Sequence, residues 1–182
     1  VKEAMDDFLH YLQEGMKKYT QGDPLETGIT TGPLARPDLA NNLSEQLALS
    51  VKAGAHLDYG GSAEGCNFKP SLLLNVKPGM AAFDQETFGP LAAVITASDE
   101  KEAIKLANLS PYGLAGSVWT KDFERGIHIA RQITTGAVFI NSLVKSDPRL
   151  PFGGVKKSGY GRELGRLGIL EFVNAKTIAA EL

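Results

Sequence analysis

Apolar residues open the chain at three- and four-residue steps, Val1, Met5, Phe8, Leu12, Met16 and Tyr19, with Lys2, Glu3, Asp6 and Asp7 off that stripe. The period predicts an amphipathic surface helix. The stretch "TQGDPLETGITTGPL" that follows is too rich in Gly and Pro for regular structure. Pro37 and Asp38 then suit the first turn of a second helix, with Leu39, Leu43, Leu47 and Val51 as its stripe and Gly54 as its end. From Gly54 onward the pattern changes to short apolar runs between glycines and prolines: "AHLDY", "SLLLNV", "LAAVITA", "GLAGSVWT" and "GAVFIN". These read as strands. Two helical patterns separate the last three, one capped by Ser98 or Asp99 and one by Asp122. Strand, helix, strand, helix, strand between Leu91 and Ile140 predicts two consecutive βαβ units, hence parallel strands, and the near-continuous apolar character of "LAAVITA" and "GAVFI" predicts burial on both faces. The end, "RELGRLGILEFVNAKTIAAEL", reads as a short glycine-punctured helix followed by a β-prone tail. A terminal strand of that kind is either an edge of this sheet or an addition to another subunit's sheet.

Composition narrows the function classes. The 182 residues are 43% apolar, enough for one well-buried domain. Lys plus Arg number 19 against 21 Asp plus Glu, a formal charge of -2, which supplies no long-range field for nucleic acid or an anionic membrane. The single cysteine, Cys66, excludes an internal disulfide. No apolar run reaches the roughly 18 residues of a membrane span. A cytoplasmic, soluble protein is expected, and its start in mid-pattern at Val1 resembles a cut edge.

Isolated motifs carry little chemistry. In "LPFGGVKKSGYGRELG", Leu150 to Gly165, no glycine precedes the lysine before Ser158, so the loop is not a P-loop; Gly159, Gly161 and Gly165 miss the dinucleotide spacing by one residue. A glycine turn with incidental lysines is the plain alternative. His10, His56 and His128 are scattered, and no metal site is expected. Cys66 lies in a polar turn with nothing in sequence to lower its pKa, which argues against a nucleophile. Asn42 and Asn108 match the glycosylation acceptor by spacing alone.

Taken in order, "GDP", "GPL", "GAHLDYGG", "CNFKPSLL", "ETFGPLA", "YGLAGSVWTKD", "GAVFIN", "PFGGVKKSGYGREL" and "KT" resemble the C-terminal part of the NAD(P)-dependent aldehyde dehydrogenases from end to end. Each motif is weak alone and the ordered set is specific. The resemblance implies an α/β fold: the parallel-sheet catalytic domain of that family with flanking helices over residues 1–174, and a C-terminal oligomerisation strand over 175–182. It implies that the Rossmann-like cofactor domain, the nucleophilic cysteine, the general-base glutamate and the oxyanion-binding asparagine lie upstream, with no catalytic residue in this chain. Oxidation of an aldehyde through a thioester, with hydride transfer to NAD or NADP, would then require the missing N-terminal part, and the chain alone would be inactive.

Within the chain, the resemblance assigns cofactor contacts to Glu86 and Phe88 of "ETFGP". An acceptor-only carboxylate suits ribose hydroxyls, and an aromatic ring can limit the swing of a nicotinamide. The plain alternatives are a charged turn residue and a core Phe. Asn141 ends "GAVFIN", and the loop beyond the carboxyl end of a strand is where an α/β sheet lines its ligand site. That loop, "SLVKSDPRL", is polar, and "ETFGPLA" and "FGGVKKSGYGREL" look most like succinate-semialdehyde dehydrogenases. Ser146 is the first candidate and Lys145 the second for a distal substrate carboxylate, with Phe152 turned toward the core or the pocket. A solvated loop is the alternative. An aldehyde substrate and a homo-oligomer are the expected partners. Other readings are an aldehyde dehydrogenase of different aliphatic specificity and a non-catalytic dimerising module derived from the family.

Overall fold

The computed structural model describes residues 1–181, all but Leu182. The chain forms two units, Val1–Leu106 and Ala107–Leu182.

In the first unit a 3-10 turn, Lys2–Ala4, leads into α1, Met5–Met16. Of its stripe only Met16 is buried; Phe8 and Tyr19 are more than half exposed. The amphipathic face exists, but little of this unit covers it. Helix α2, Pro37–Lys52, starts with Pro in its first turn and ends before Gly54, which takes φ +106, the left-handed value that glycine adopts without a Cβ penalty. Its buried face is Ala40, Leu43, Leu47 and Ser50, a quarter-turn away from the predicted Leu39 and Val51. Ser50 explains the rotation. Its hydroxyl donates to the Gln46 carbonyl at 2.7 Å and accepts the Ala82 N–H at 2.9 Å, so a fully buried hydroxyl is satisfied on both sides.

Strand β1, His56–Tyr59, runs antiparallel to β4, Ser71–Leu74. Between them lies a small antiparallel hairpin, β2 (Ala63–Glu64) and β3 (Asn67–Phe68). After β4 the chain passes through α3, Ala81–Asp84, and returns as β5, Leu91–Ala93, parallel to β4 with Ser71 opposite Leu91. The sheet order is β1-β4-β5. Burial on both faces falls to central β4, where Leu72 and Leu73 have no exposure. The core gathers Leu43 and Leu47 from α2 with Phe68, Leu73, Val76 and Leu91, each worth roughly 1.5–3 kcal/mol of transfer free energy when fully buried.

The boundary between the units falls inside α4, Glu100–Leu109. Asp99 is its N-cap, accepting the Glu102 N–H at 2.8 Å, while the Glu102 carboxylate reaches back to the Ser98 N–H at 2.7 Å, a reciprocal cap. In the second unit β6, Tyr112–Gly113, precedes β7, Ala115–Val118. Helix α5, Phe123–Ala130, is capped by Asp122, and β8, Ala137–Ile140, returns parallel to β7. Strand β9, Val155–Lys156, pairs antiparallel with β6, and α6, Gly165–Leu170, follows.

Two expectations about the sheet change. Only β7-α5-β8 forms a βαβ unit between Leu91 and Ile140; β5 pairs with β4 alone, because the strands that follow α4 belong to the second unit and find their partners there, β6 with β9 and β7 with β8. The parallel crossover through α3 takes the place of the other. Residues of β8 are half-buried rather than enclosed. The fold is therefore mixed, with parallel pairs flanked by antiparallel ones. No strand is described from Asn174 to Glu181, and Ile178 is 83% exposed; a strand there would need a partner for its N–H and C=O groups. Leu182, the last residue of the expected oligomerisation strand, lies outside the described residues.

Candidate functional site

Glu86 and Phe88 lie in the first unit, in the short segment between α3 and β5. Helix α2 sets that segment from behind. Gln46 Nε2 donates to the Glu86 carbonyl at 3.0 Å, and a Cβ on Gly89 would come within 2.5 Å of the Leu43 side chain, so glycine is what lets the segment lie this close to α2. The segment then enters the sheet through the Ser71 N–H, which donates to the Pro90 carbonyl at 2.8 Å. The backbone is fixed and the side chains are not used. Phe88 is 65% exposed, which removes the core-Phe alternative within this unit. The Glu86 side chain is exposed and its carboxylate accepts no hydrogen bond among the described residues.

Ser146, Lys145 and Phe152 lie in the second unit. Asn141, at the carboxyl end of β8, has φ +51, and its N–H donates to the Val118 carbonyl at 2.8 Å. Residues 142–146 then run exposed. The loop closes on Asp147, whose carboxylate accepts from the Arg149 N–H at 2.9 Å and from Arg149 Nη2 at 2.6 Å. The Arg149 side chain beside it holds the Asp147 carboxyl below its usual value, helped by the Arg149 N–H and the Lys145 charge. Arg149 is thus committed to Asp147, while Lys145 forms no ion pair and Ser146 no hydrogen bond among the described residues. Phe152 is half-buried, its backbone pairing with Glu163 through two 2.8 Å hydrogen bonds.

The glycine-rich loop proves to be internal packing. Lys156 Nζ donates to the Asn108 and Ser110 carbonyls, both at 3.0 Å, closing the C-terminal end of α4 where a cation meets the negative pole of the helix. Arg162 Nη1 donates to the Gly154 and Gly161 carbonyls. Both cations serve backbone carbonyls. The Asn108 amide is spent as well, donating to the Gln132 carbonyl and accepting the Thr134 N–H. Cys66 occupies the turn between β2 and β3, its carbonyl accepting the Leu34 N–H at 2.8 Å. Among the described residues no cluster of His, Cys, Asp and Glu could hold a metal ion.

Sequence reasoning singled out these segments as candidates and missed how they are held. The Asp147–Arg149 pair has a local signal, an acid two residues before an arginine. The Lys156 cap has none, because its acceptors are 46 and 48 residues away.

Two clefts of the first unit lie apart from these side chains. One, of about 670 Å³, opens between Tyr19, Tyr59 and Lys69; another, of about 420 Å³, includes Gly89 and Pro90, next to Phe88 in sequence, but not Phe88 itself.

Comparison with known proteins covers most of the chain. The profile of the aldehyde dehydrogenase family matches residues 1–178. A probable succinate-semialdehyde dehydrogenase [NADP(+)] of Synechocystis sp. is 46% identical over 176 residues, 95% of this chain and 39% of the relative. The crystal structure of succinic semialdehyde dehydrogenase from Streptococcus pyogenes in complex with NADP+ superposes with a TM-score of 0.93 at 38% identity, covering 98% of this chain and 40% of that one. Betaine aldehyde dehydrogenase from Staphylococcus aureus, in complex with NAD+, gives 0.88 at 32% identity, covering 93% and 35%. The chain spans about two fifths of the length of the curated relatives it matches. This chain belongs to the aldehyde dehydrogenase family.

Proposed function

We propose that the complete protein to which this chain belongs is an oxidoreductase that oxidises an aldehyde bearing a distal carboxylate, succinate semialdehyde in the first place, to the corresponding acid, with NAD or NADP. The observation that carries the substrate class is the loop after β8: Arg149 is paired with Asp147, leaving the Ser146 hydroxyl and the Lys145 ammonium as side-chain donors of the loop with no hydrogen-bond partner among the described residues. A hydroxyl and a cation beyond the carboxyl end of a parallel strand suit a carboxylate at the far end of a short substrate. The names of the Synechocystis and Streptococcus pyogenes relatives support the same class.

The residues present also fit a nicotinamide cofactor. Glu86 offers a carboxylate with no donor among the described residues, and Phe88 an exposed ring; in this reading Glu86 accepts from ribose hydroxyls and Phe88 restricts the nicotinamide. The cofactor, when bound, supplies the hydride acceptor. Lys145 and Ser146 hold the far end of the substrate, and half-buried Phe152 is a wall that excludes water from it.

The test is Ser146→Ala in the complete enzyme. Loss of one hydrogen bond to a charged group corresponds to about a tenfold rise in KM for succinate semialdehyde, with KM for an uncharged aldehyde of the same length unchanged. Equal effects on both substrates, or none on either, would remove Ser146 from the carboxylate site.

A further inference from the structure

Resting on the reading of residues 142–150 as the substrate loop, we propose that Asn141 is a positioning residue: its side chain clamps Thr120 at two points, fixes where the loop springs from the sheet, and so sets aldehyde affinity without touching the aldehyde. The clamp is complete. Asn141 Nδ2 donates to the Thr120 carbonyl at 2.8 Å, and Asn141 Oδ1 accepts the Thr120 N–H at 2.8 Å. The side-chain amide thus continues the β7–β8 ladder by one rung where the backbone has already turned away.

That turn is the reason the rung is needed. Asn141 sits at φ +51, a left-handed conformation that asparagine tolerates better than other side chains. Its backbone leaves the strand there, so the polar groups of Thr120, next after Trp119 beyond β7, would lose their partners without the amide. Ser117 Oγ adds a brace one residue on, donating to the Ser142 carbonyl at 2.9 Å. The far end of the loop is tied by the Leu150 N–H to the Asp147 carbonyl at 2.9 Å and by the Gly165 N–H to the Pro148 carbonyl at 3.0 Å. Lys145 and Ser146 hang between these two anchors, with no backbone hydrogen bond of their own to another element among the described residues. Their position is therefore inherited from the ends of the loop, and the Asn141 end is the one held to the neighbouring strand by side chains, the Asn141 amide with two hydrogen bonds and the Ser117 hydroxyl with one. Only an amide of this length both donates and accepts there: Asp lacks the donor, Ala and Gly lack both.

The experiment compares Asn141→Gly, which keeps the backbone freedom and loses the clamp, with Asn141→Asp, which keeps the acceptor, in the complete enzyme. Succinate semialdehyde and butanal are the probes. Asn141→Gly is expected to raise KM for succinate semialdehyde on the order of 10- to 100-fold, with KM for butanal, which has no carboxylate for Lys145 and Ser146 to hold, kcat and the cofactor KM within about threefold, and Asn141→Asp to fall between it and the parent. Amide hydrogen exchange at Thr120 should quicken in the same order. KM for succinate semialdehyde unmoved while Thr120 exchange quickens would overturn the proposal, as would a joint loss of kcat, aldehyde KM and cofactor KM, the mark of a loosened fold. An enzyme that oxidises butanal and not succinate semialdehyde, or neither, sinks the substrate class and the Asn141 proposal with it; an enzyme that oxidises succinate semialdehyde with the same KM in parent and Asn141→Gly sinks the Asn141 proposal alone.

Discussion

A Cβ added to Gly136 would collide with the carbonyl oxygen of Gly153 and press on that of Leu114. Backbone packed against backbone cannot give way as a side-chain tip can, so this glycine is set by close approach rather than by its torsion. Gly161 is the contrasting case: φ is +71, and the nearest contact of an added Cβ is an ordinary 3.4 Å to the Glu171 side chain. Gly136→Ala is expected to destabilise the second unit by about 3 kcal/mol or more, and Gly161→Ala by only about 1–2 kcal/mol, the cost of a left-handed residue. Urea unfolding of the two variants followed by hydrogen exchange within residues 107–181 measures the difference; equal losses would mean that torsion decides at both positions. The sequence displays all these glycines alike. Which of them faces a carbonyl depends on residues far along the chain.

At the scale of the element, α4 is held at both ends by side chains. The Ser98 hydroxyl and N–H both donate to the Glu102 carboxylate and hold its pKa below the ordinary 4.5. A carboxyl whose folded value is depressed contributes stability in full above its unfolded value and loses it as pH falls through the lower folded one. The N-terminal turn of α4 should therefore fray in acid, below about pH 4.5, and do so less steeply in Glu102→Gln, which cannot titrate. Circular dichroism of the two proteins through that range is the measurement, and superimposable acid transitions would show that the cap is not the group titrating. At the other end, Lys156→Met keeps the stem and removes the donors to the Asn108 and Ser110 carbonyls. It should cost about 1 kcal/mol, within the range for charge-assisted bonds and helix-end cations on exposed surfaces.

Helices with their caps were readable because every part lies within a few residues: Asp99 and Asp122 precede their apolar stripes and accept the N–H groups of Glu102 and Arg125. The strands of four residues were readable from their apolar runs. Two-residue β2, β3, β6 and β9 were not, since each is a strand only by virtue of its partner. The same limit explains β5, where "LAAVITA" reads as seven residues of strand and only Leu91–Ala93 has a ladder.

At the scale of the whole molecule, the chain accounts for about two fifths of its relatives' length, and its one cysteine lies in a hairpin turn. Glu86, Phe88, Lys145 and Ser146 are proposed as binding groups, and none of them is a nucleophile with a base beside it among the described residues. The isolated 182-residue chain is therefore expected to form no NAD(P)H from succinate semialdehyde with either cofactor, as followed by absorbance, while the complete enzyme does. Turnover by the chain alone at an enzyme-like rate would sink the assignment of catalysis to the rest of the protein. The exposed apolar residues Phe8, Tyr11 and Tyr19 on and after α1, and Phe172 and Ile178 toward the end, are surfaces that further protein can cover.

By itself the sequence determined the helices other than four-residue α3, the longer strands, the caps and the family, and it marked the two segments proposed to carry cofactor and substrate groups, because periodicity, capping and motif order are properties of neighbouring residues. Tertiary structure alone decided that Ser50, not Val51, faces the core, that β5 and β7 stay in separate sheets, that Lys156 closes α4, and that Asn141 grips Thr120. Each of these joins groups some twenty to fifty residues apart, and such a contact exists only after the chain has paid the entropy of closing the loop between them.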